Sequence, residues 1–435
     1  MKDHILKDIV ALFQVHPVKT IAQAFAGELE AALHRRESSL KMLPSYLSRP
    51  TGEEKGDYIA IDFGGSNVRV MAVSLCGNGR STITKQLSRP LVSIEQGYDL
   101  TSAASTGRDM FAFVAEMVEE VLAKGHRYQL GLTFSYPMEQ EAVDRARLLE
   151  WTKEIKTSAT VGKDIGVLLT EALKERGLGQ VMPVAIINDT VAAFMAGAYV
   201  DPAVCAGSIC GTGHNTCCIE PSLPAPSGLP MVVNLEAGNF ALLPENHYDR
   251  RLDRLSLDPG KQRLEKMVSG KYLGELFRLV LLDLIEQQLV PPPQRCPNSI
   301  DKPYMVGAEV LSWMRAESPL LKERLNSWLS QHGFAHYQDH DIAVLRTIGN
   351  AIVDRAAYLI AATFLAVSER SGTSGNRRAV AVDGSVFLHI PGFAETVETV
   401  IRKHQEKPHT VELMPVIDGS NLGAAVAAAQ AKRYK

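Results

Sequence analysis

Several short segments carry the side chains needed to hold a polyanion and to move a proton. Asp62-Phe63-Gly64-Gly65-Ser66-Asn67 sets a carboxylate at the end of an apolar run, then two glycines, then a hydroxyl and an amide. Glycines let the backbone approach a ligand closely, so such a segment can cradle phosphate and a hydrated metal ion; it is equally an ordinary hairpin turn. It matches neither the Walker pattern G-x-x-x-x-G-K-[ST] nor the dinucleotide pattern G-x-G-x-x-G. Gly211-Thr212-Gly213-His214-Asn215 repeats the logic, and Asp383-Gly384-Ser385 and Asp418-Gly419-Ser420 are shorter versions of it. Each alone is a common turn, but all four follow a buried strand. Asn188-Asp189 places a carboxylate between an apolar strand and a helix, either as an N-cap or as a general base that takes a proton from a substrate hydroxyl. Trp151-Thr152-Lys153 adds a hydroxyl and an ammonium and, read alone, fits exposed surface equally well.

The elements around these residues alternate in period. Ile21, Ala24, Phe25, Leu29, Ala32 and Leu33 recur at helical spacing, and "MLPSYLSRPTGEEKGD" reads as a connector. From Tyr58, "YIAIDF" and "VRVMAVSL" read as strands joined by the glycine turn, with "STITKQL" as a third. Met110, Val114, Met117, Val118, Val121 and Leu122 make one helical stripe that stops at Lys124-Gly125. "QLGLTFSYP" and "PVAIIND" are further strands, the second leading into a helix over Thr190 to Tyr199. "GSICGTGHNTCCIE" echoes the first glycine hairpin and suggests two related halves. "EKMVSGKYLGELFRLVLLDL" and "AAYLIAATFLAV" read as helices, "AVAVDGS" and "VELMPVIDGS" as strands, and Leu422 to Lys432 as a closing helix. Strands, glycine turns and helices in this mixture give an α/β layered fold.

Composition removes several function classes. Forty-six Lys plus Arg stand against 49 Asp plus Glu, for a formal charge of −3, so nothing predicts binding to nucleic acid or anionic lipid. The N-terminal stretch mixes Asp3 and Asp8 with Lys2 and Lys7 and lacks the apolar run of a secretory signal. Ala356 to Val367 is apolar but shorter than the ~20 residues that span a bilayer, and reads as a buried helix. The six cysteines contain no C-x-x-C pair, so Cys205, Cys210, Cys217 and Cys218 lack the spacing of a zinc site and fit a reduced, cytoplasmic chain. With 435 residues, two or three lobes are expected.

Taken together, the segments resemble the hexokinase family. "IDFGGSNVRVMAV", "LGLTFSYP", "WTKEIKTSATVGKDIGVLL", "IINDTVAAFMAGAY", "GTGHNTCCIE", "NLEAGNF", "SLDPGKQRLEKMVSGKYLGEL" and "AVDGSVF" occur in that family's order and at roughly its spacing, from about Met42 to Ala429. The resemblance implies a two-lobed actin-like ATPase fold, each lobe a mixed sheet flanked by helices, with a cleft between them. The small lobe would hold residues 57–187 plus about 420–435, and the large lobe 1–56 plus about 188–419. It implies phosphorylation of glucose or a related hexose at the 6-hydroxyl by ATP and Mg²⁺, in a protein that is a monomer or homodimer.

Residue by residue, the resemblance puts Asp189 in the place of the catalytic base, with Lys153 offsetting charge on the moving phosphoryl group. Ser135, Thr152, Lys153, Asn188, Asn215, Glu236 and Glu265 match sugar-binding positions. A hexose presents only hydroxyls, so paired donors and acceptors suit it. Asp62, Gly64, Gly65, Ser66, Asn67, Arg69, Gly211, Thr212, Gly213, Ser385, Gly419 and Ser420 match nucleotide positions, with Asp62 holding Mg²⁺ through water and Ser420 near the adenosine. Lobe closure on sugar would keep water from accepting the phosphoryl group. Three departures stand out: Ala237 replaces a usual Trp, Ser66 replaces a usual Thr, and His214 replaces a small residue. The rival readings are a catalytically idle hexose sensor and a filament-forming or chaperone-like ATPase of the same fold.

Overall fold

The computed structural model describes residues 2–14, 17–123, 125–152, 155–370, 376–405 and 408–431. Helices α1 (Lys2–Ala11) and α2 (Val18–Leu33) precede β1 (Leu43–Ser48). Strands β2 (Lys55–Phe63), β3 (Asn67–Gly77) and β4 (Arg80–Pro90) follow as a meander, then the ribbon β5 (Val92–Ser93) and β6 (Tyr98–Asp99), and helix α3 (Gly107–Val121). Next come β7 (Tyr128–Phe134), the ribbon β8 (Met138–Ala142) and β9 (Arg145–Leu148), α4 (Ile165–Glu175), β10 (Val181–Ile187) and α5 (Asp189–Val200). A second meander, β11 (Val204–Cys210), β12 (His214–Pro224) and β13 (Pro230–Asn234), leads into α6 (His247–Leu255), α7 (Arg263–Val268) and α8 (Gly270–Glu286). Helices α9 (Ala308–Arg315), α10 (Pro319–Gln331) and α11 (Asp339–Arg370) lie before β14 (Arg377–Asp383). The chain continues through α12 (Ser385–His389), α13 (Phe393–His404), β15 (Thr410–Pro415) and α14 (Gly419–Ala431).

Two sheets result, and they share a plan. In the five-stranded sheet, order β10-β7-β2-β3-β4, an antiparallel meander has two parallel strands added beside its first strand. In the six-stranded sheet, order β1-β13-β12-β11-β14-β15, β11 to β13 form the meander and β14 and β15 the parallel addition, with β1 closing the far edge. The echo between the two glycine hairpins is thus a repeat of topology.

Side-chain alternation along each strand feeds separate cores. From β2, Ile59, Ile61 and Phe63 enter a core beneath α3 and α4, while Tyr58 and Ala60 enter a second core between the sheets. That middle core holds α5, α14 and the facing sides of both sheets; a third, larger core lies under the remaining helices. Alanine, glycine and other apolar residues surround α5 and α14 on every side, as burial between two sheets requires.

The approach around these two helices is at backbone distance. A Cβ on Gly423 would stand 2.0 Å from the carbonyl oxygen of Ala192, and one on Gly131 of β7 would stand 2.0 Å from that of Ala424. On the other side, a Cβ on Gly207 of β11 would stand 2.5 Å from the carbonyl oxygen of Thr190. Sheet, α14, α5 and second sheet are therefore stacked with glycine at each junction.

Several sequence expectations change. The connector after α2 contains β1, whose edge pairing with β13 is a long-range contact that local periodicity cannot register. "EKMVSGKYLGELFRLVLLDL" is two helices, broken at the extended Ser269 (φ −90°, ψ 152°). The closing helix begins at Gly419 and takes in Ser420, and Ser385 opens the short α12. The apolar run Ala356 to Val367 lies in the C-terminal half of a 32-residue helix, α11. By length and hydropathy that helix could cross a bilayer, but 83% of its most apolar window is buried within the protein. The stop of α3 at Lys124 lies outside the described residues; the helix itself ends at Val121, and its start is fixed by a capping box between Thr106 and Asp109.

The same substitution has opposite signs at two glycines. Gly423→Ala is expected to lower the unfolding free energy by about 1–3 kcal/mol, because backbone blocks the added methyl. Gly27→Ala, exposed on α2 with nothing within 4 Å, is expected to raise it by about 0.5–1 kcal/mol. Urea denaturation of both variants checks this.

Candidate active site

Both glycine hairpins and the N-termini of α5 and α14 converge on one cavity of about 440 Å³. Asn188 caps α5, its Oδ1 accepting from the backbone N–H (3.0 Å) and hydroxyl (2.8 Å) of Thr190. Asp189 is the first residue of the helix, and its Oδ1 accepts from the Thr190 N–H at 2.8 Å. The N-cap reading and the functional reading of this pair are therefore compatible: capping fixes the Asp189 carboxylate on the cavity wall.

A hydrogen-bonded set of amides and carboxylates lines the cavity with Asp189. Asn215 accepts from the backbone N–H groups of Thr216 (2.7 Å) and Ala237 (3.0 Å) through Oδ1. Its amide is thereby turned to donate to Asn234 (2.9 Å) and to Glu236 (3.3 Å). Glu236 also accepts from Asn234 at 2.8 Å and adopts a left-handed backbone (φ 53°, ψ 48°), a strained state for a non-glycine residue that is typical of functional positions. Burial raises its carboxyl pKa above the ordinary glutamate range; Asp189 adds to that, while bonds from the two asparagines and the charge of Lys41 oppose it. Glu265, on the first turn of α7, accepts from the His214 N–H at 2.9 Å. Ser135 lines the same wall.

The same cavity is lined by groups suited to phosphate. Asp62 ends β2, between Arg69 of β3 and Thr133 of β7 in register. Arg69 reaches Asp418 at 3.2 Å across the gap between the five-stranded sheet and the turn before α14. Gly211, Thr212 and Gly213 form the second hairpin turn, packed backbone to backbone on Asp383-Gly384-Ser385. Gly384 has φ +117°, and a Cβ there would stand 2.5 Å from the Cys210 carbonyl, so only glycine fits. Asp383 accepts from its neighbour's N–H at 2.6 Å. Burial, then Asp418 and Asp189, raise its carboxyl pKa against the pull of hydrogen bonds from Gly384 and Gly419. A second cavity of about 920 Å³ shares Thr212 and Ser385 with the first and is walled by Lys271, Tyr304, Trp313 and His389.

Not every expected residue reaches the cavity. Gly64, Gly65, Ser66 and Asn67 form the first hairpin turn but do not line it, and Gly419 packs against Val416 and Asp383. Ser420 lines the first cavity rather than the second, and its carbonyl accepts from Thr133 at 2.7 Å. Thr152 is exposed and away from the wall; Lys153 lies outside the described residues.

Sequence reasoning missed Gln262 and Tyr136 and left Asp383 as part of a turn. Gln262 (φ 54°) opens α7 and lines the cavity; the quoted "PGKQRLEKM" contained it, but nothing in its type marked it out. Of the departures, Ala237 is fully buried and contributes its backbone N–H to Asn215, an interaction that survives loss of a larger side chain. His214 is buried, with its pKa lowered to about 4 by burial despite the Ile209 carbonyl at 3.0 Å. Its imidazole is therefore neutral at pH 7. Among the described residues, no three His, Cys, Asp or Glu side chains group closely enough to hold a metal directly.

The chain is similar to known proteins over nearly its whole length. Hexokinase family profiles match residues 5–199 and 205–430. Hexokinase-1 of Oryza sativa subsp. japonica is 35% identical over 453 residues, covering 95% of this chain and 88% of the relative. Hexokinase-1 of Arabidopsis thaliana is 32% identical, covering 97% and 89%. A hexokinase crystal structure aligns over 99% of both chains at 30% identity with a TM-score of 0.87. The hexokinase of Schistosoma mansoni complexed with glucose aligns over 99% of both at 29% identity with a TM-score of 0.82. The two sheets with their shared cleft are the two-lobed actin-like fold, and the chain belongs to the hexokinase family.

Proposed function

We propose that this enzyme transfers the γ-phosphoryl group of Mg·ATP to the 6-hydroxyl of glucose or a closely related hexose, with Asp189 as general base. One observation carries the reading: Asp189 lines a single cavity together with a hydroxyl-matching set (Asn188, Asn215, Glu236, Glu265) and a phosphate-matching set (Asp62, Arg69, Thr212, Ser385). Carboxylates accept from sugar hydroxyls and amides donate to them, so a ligand lacking those hydroxyls leaves buried groups unpaired.

In this mechanism the sugar oxygen attacks the γ-phosphorus as its proton passes to Asp189. The bond from that phosphorus to the β,γ-bridging oxygen breaks, and ADP leaves. Arg69 and Thr212 face the polyphosphate, and the second cavity receives the nucleoside. Mg²⁺ arrives with the nucleotide. The ion keeps several waters and binds few carboxylates directly, so Asp62 would hold it through water. Lys153 is proposed to meet the transferring phosphoryl group when the loop carrying Thr152 closes over the sugar; closure excludes water as an acceptor. Positioning and electrostatics are most of what phosphoryl transfer needs.

Asp189→Asn is expected to lower kcat by about 10²–10⁴-fold while glucose binding falls by no more than about tenfold. Coupled assays and calorimetric titration measure the two. An equal loss of binding and turnover, or no loss, contradicts the assignment.

Glu236 gives a second test, with its sign set by the raised pKa. A carboxyl with a raised folded pKa adds stability at pH below its ordinary range and loses it as pH rises through the raised value. At neutral pH the buried charge therefore costs stability. Glu236→Gln is expected to raise the thermal midpoint of the sugar-free protein at about pH 7–8, an advantage that shrinks on acidification. The same change should weaken glucose binding about 10–100-fold.

A further inference from the structure

Tyr136 belongs to neither set above, yet it lines the cavity and reaches both the first glycine turn and the residue before Thr152. It follows Ser135, lines the cavity and is only 3% exposed. Its hydroxyl donates to the carbonyl oxygen of Gly64, in the first glycine turn, at 2.8 Å. In a trans peptide the C=O and the following N–H point in opposite directions. Fixing the Gly64 carbonyl on Tyr136 therefore points the Gly65 N–H away from Tyr136 and leaves it set as a backbone donor for the turn.

The ring of Tyr136 meets Trp151 edge to face, with centroids 4.8 Å apart and planes at 86°. Trp151 directly precedes Thr152, and its indole N–H is held by the Thr157 carbonyl (3.0 Å) and the Thr160 hydroxyl (2.6 Å). That loop is tied in turn to the segment before α3, through Thr157 to Leu100 (2.6 Å) and Ser158 to Ser105 (2.9 Å). Phe63 and Phe134 complete the aromatic cluster, at 6.0 and 5.0 Å from Tyr136. A movement of the loop bearing Thr152 thus reaches the Gly64-Gly65 turn through one packed side chain and one hydrogen bond.

We propose that Tyr136 is a positioning residue that sets the phosphate-facing turn through Gly64 and makes nucleotide affinity depend on the state of the sugar loop. The inference rests on the reading of that turn as an ATP phosphate site and of the Thr152 loop as a sugar contact. It gives the two half-sites a physical link, so that sugar binding stiffens the turn before ATP arrives. Coupling of this kind is reciprocal: sugar tightens nucleotide by the factor that nucleotide tightens sugar.

Tyr136→Phe keeps the ring and its packing and removes only the hydroxyl, so the protein is expected to fold normally. Titration calorimetry with a non-hydrolysable ATP analogue and Mg²⁺, with and without glucose, reads the coupling; steady-state assays read KM for each substrate. Loss of one hydroxyl–carbonyl bond should raise KM for Mg·ATP about fivefold and shrink the glucose-induced tightening of the analogue by a similar factor. Glucose affinity without nucleotide should stay within about twofold. Trp151→Phe, altered on the sugar-loop side, should reduce the same tightening. Unchanged nucleotide constants in folded Tyr136→Phe overturn the role, as does an equal weakening of glucose alone. So does a wild-type protein whose analogue affinity ignores glucose. A wild type that turns over no hexose with ATP overturns the functional reading, and this role with it; an active wild type with an unaffected variant overturns this role alone.

Discussion

Everything in the site depends on how closely two helices cross. Helix α5 follows the last strand of the five-stranded sheet but packs against β11 of the other sheet, and α14 follows the last strand of the six-stranded sheet but packs against β2 and β7. Each half thus sends a helix to the other. At Gly423, Gly131 and Gly207 even an added Cβ would stand 2.0–2.5 Å from a backbone carbonyl oxygen, so no side chain can be inserted without moving the backbone apart. That spacing decides the width of the cavity above. Small residues perform here what large apolar ones perform in the outer cores, where Phe25, Phe240 and Phe277 are fully buried.

The crossing also gives the site its polarity. The first residues of α5 and α14 both open toward the cavity, bringing Asp189 and Ser420 to one wall. Helix N-termini present unpaired N–H groups and a partial positive charge, a favourable setting for an anionic donor. Of the hydroxyl-matching residues, Asn215, Glu236 and Glu265 come from the six-stranded side, on β12, the turn after β13, and α7, while Ser135 and Asn188 follow β7 and β10 of the other sheet. Asp62 and Arg69 come from the five-stranded side. Thr212 and Ser385 come from the six-stranded side, after β11 and β14, so both sets draw on both sheets and the proposed chemistry takes place where the sheets meet.

Much of this was legible before any coordinates. The strand–glycine-turn–strand pattern around Gly64 and Gly211 marked the hairpins, because period-two alternation and glycine punctuation are local signals. A cap at Asn188-Asp189 was legible for the same reason, but the carboxylate was read as the cap, and it is Asn188 that takes that role with Asp189 as the first helical residue. What escaped was non-local. Strand β1 is stabilised by β13, nearly two hundred residues away, and its own segment carries a proline and serines that read as a connector. Gln262 and Tyr136 carry no motif: one depends on a left-handed opening to α7, the other on which face of the Ser135 wall its ring takes. The break at Ser269 separates two helices whose apolar pattern runs on without interruption.

The central claim is that one cavity unites a hexose and an ATP phosphate chain across Asp189. The most direct measurement is to incubate the wild-type protein with Mg·ATP and single hexoses, quantify ADP, and examine the products by ³¹P NMR. The account predicts ADP and a primary phosphate monoester of the sugar in equal amounts, with little free phosphate when sugar is present. A protein that binds glucose yet yields no phosphorylated sugar, or yields ADP with free phosphate instead, would contradict it and leave a hexose-binding protein without the transfer chemistry.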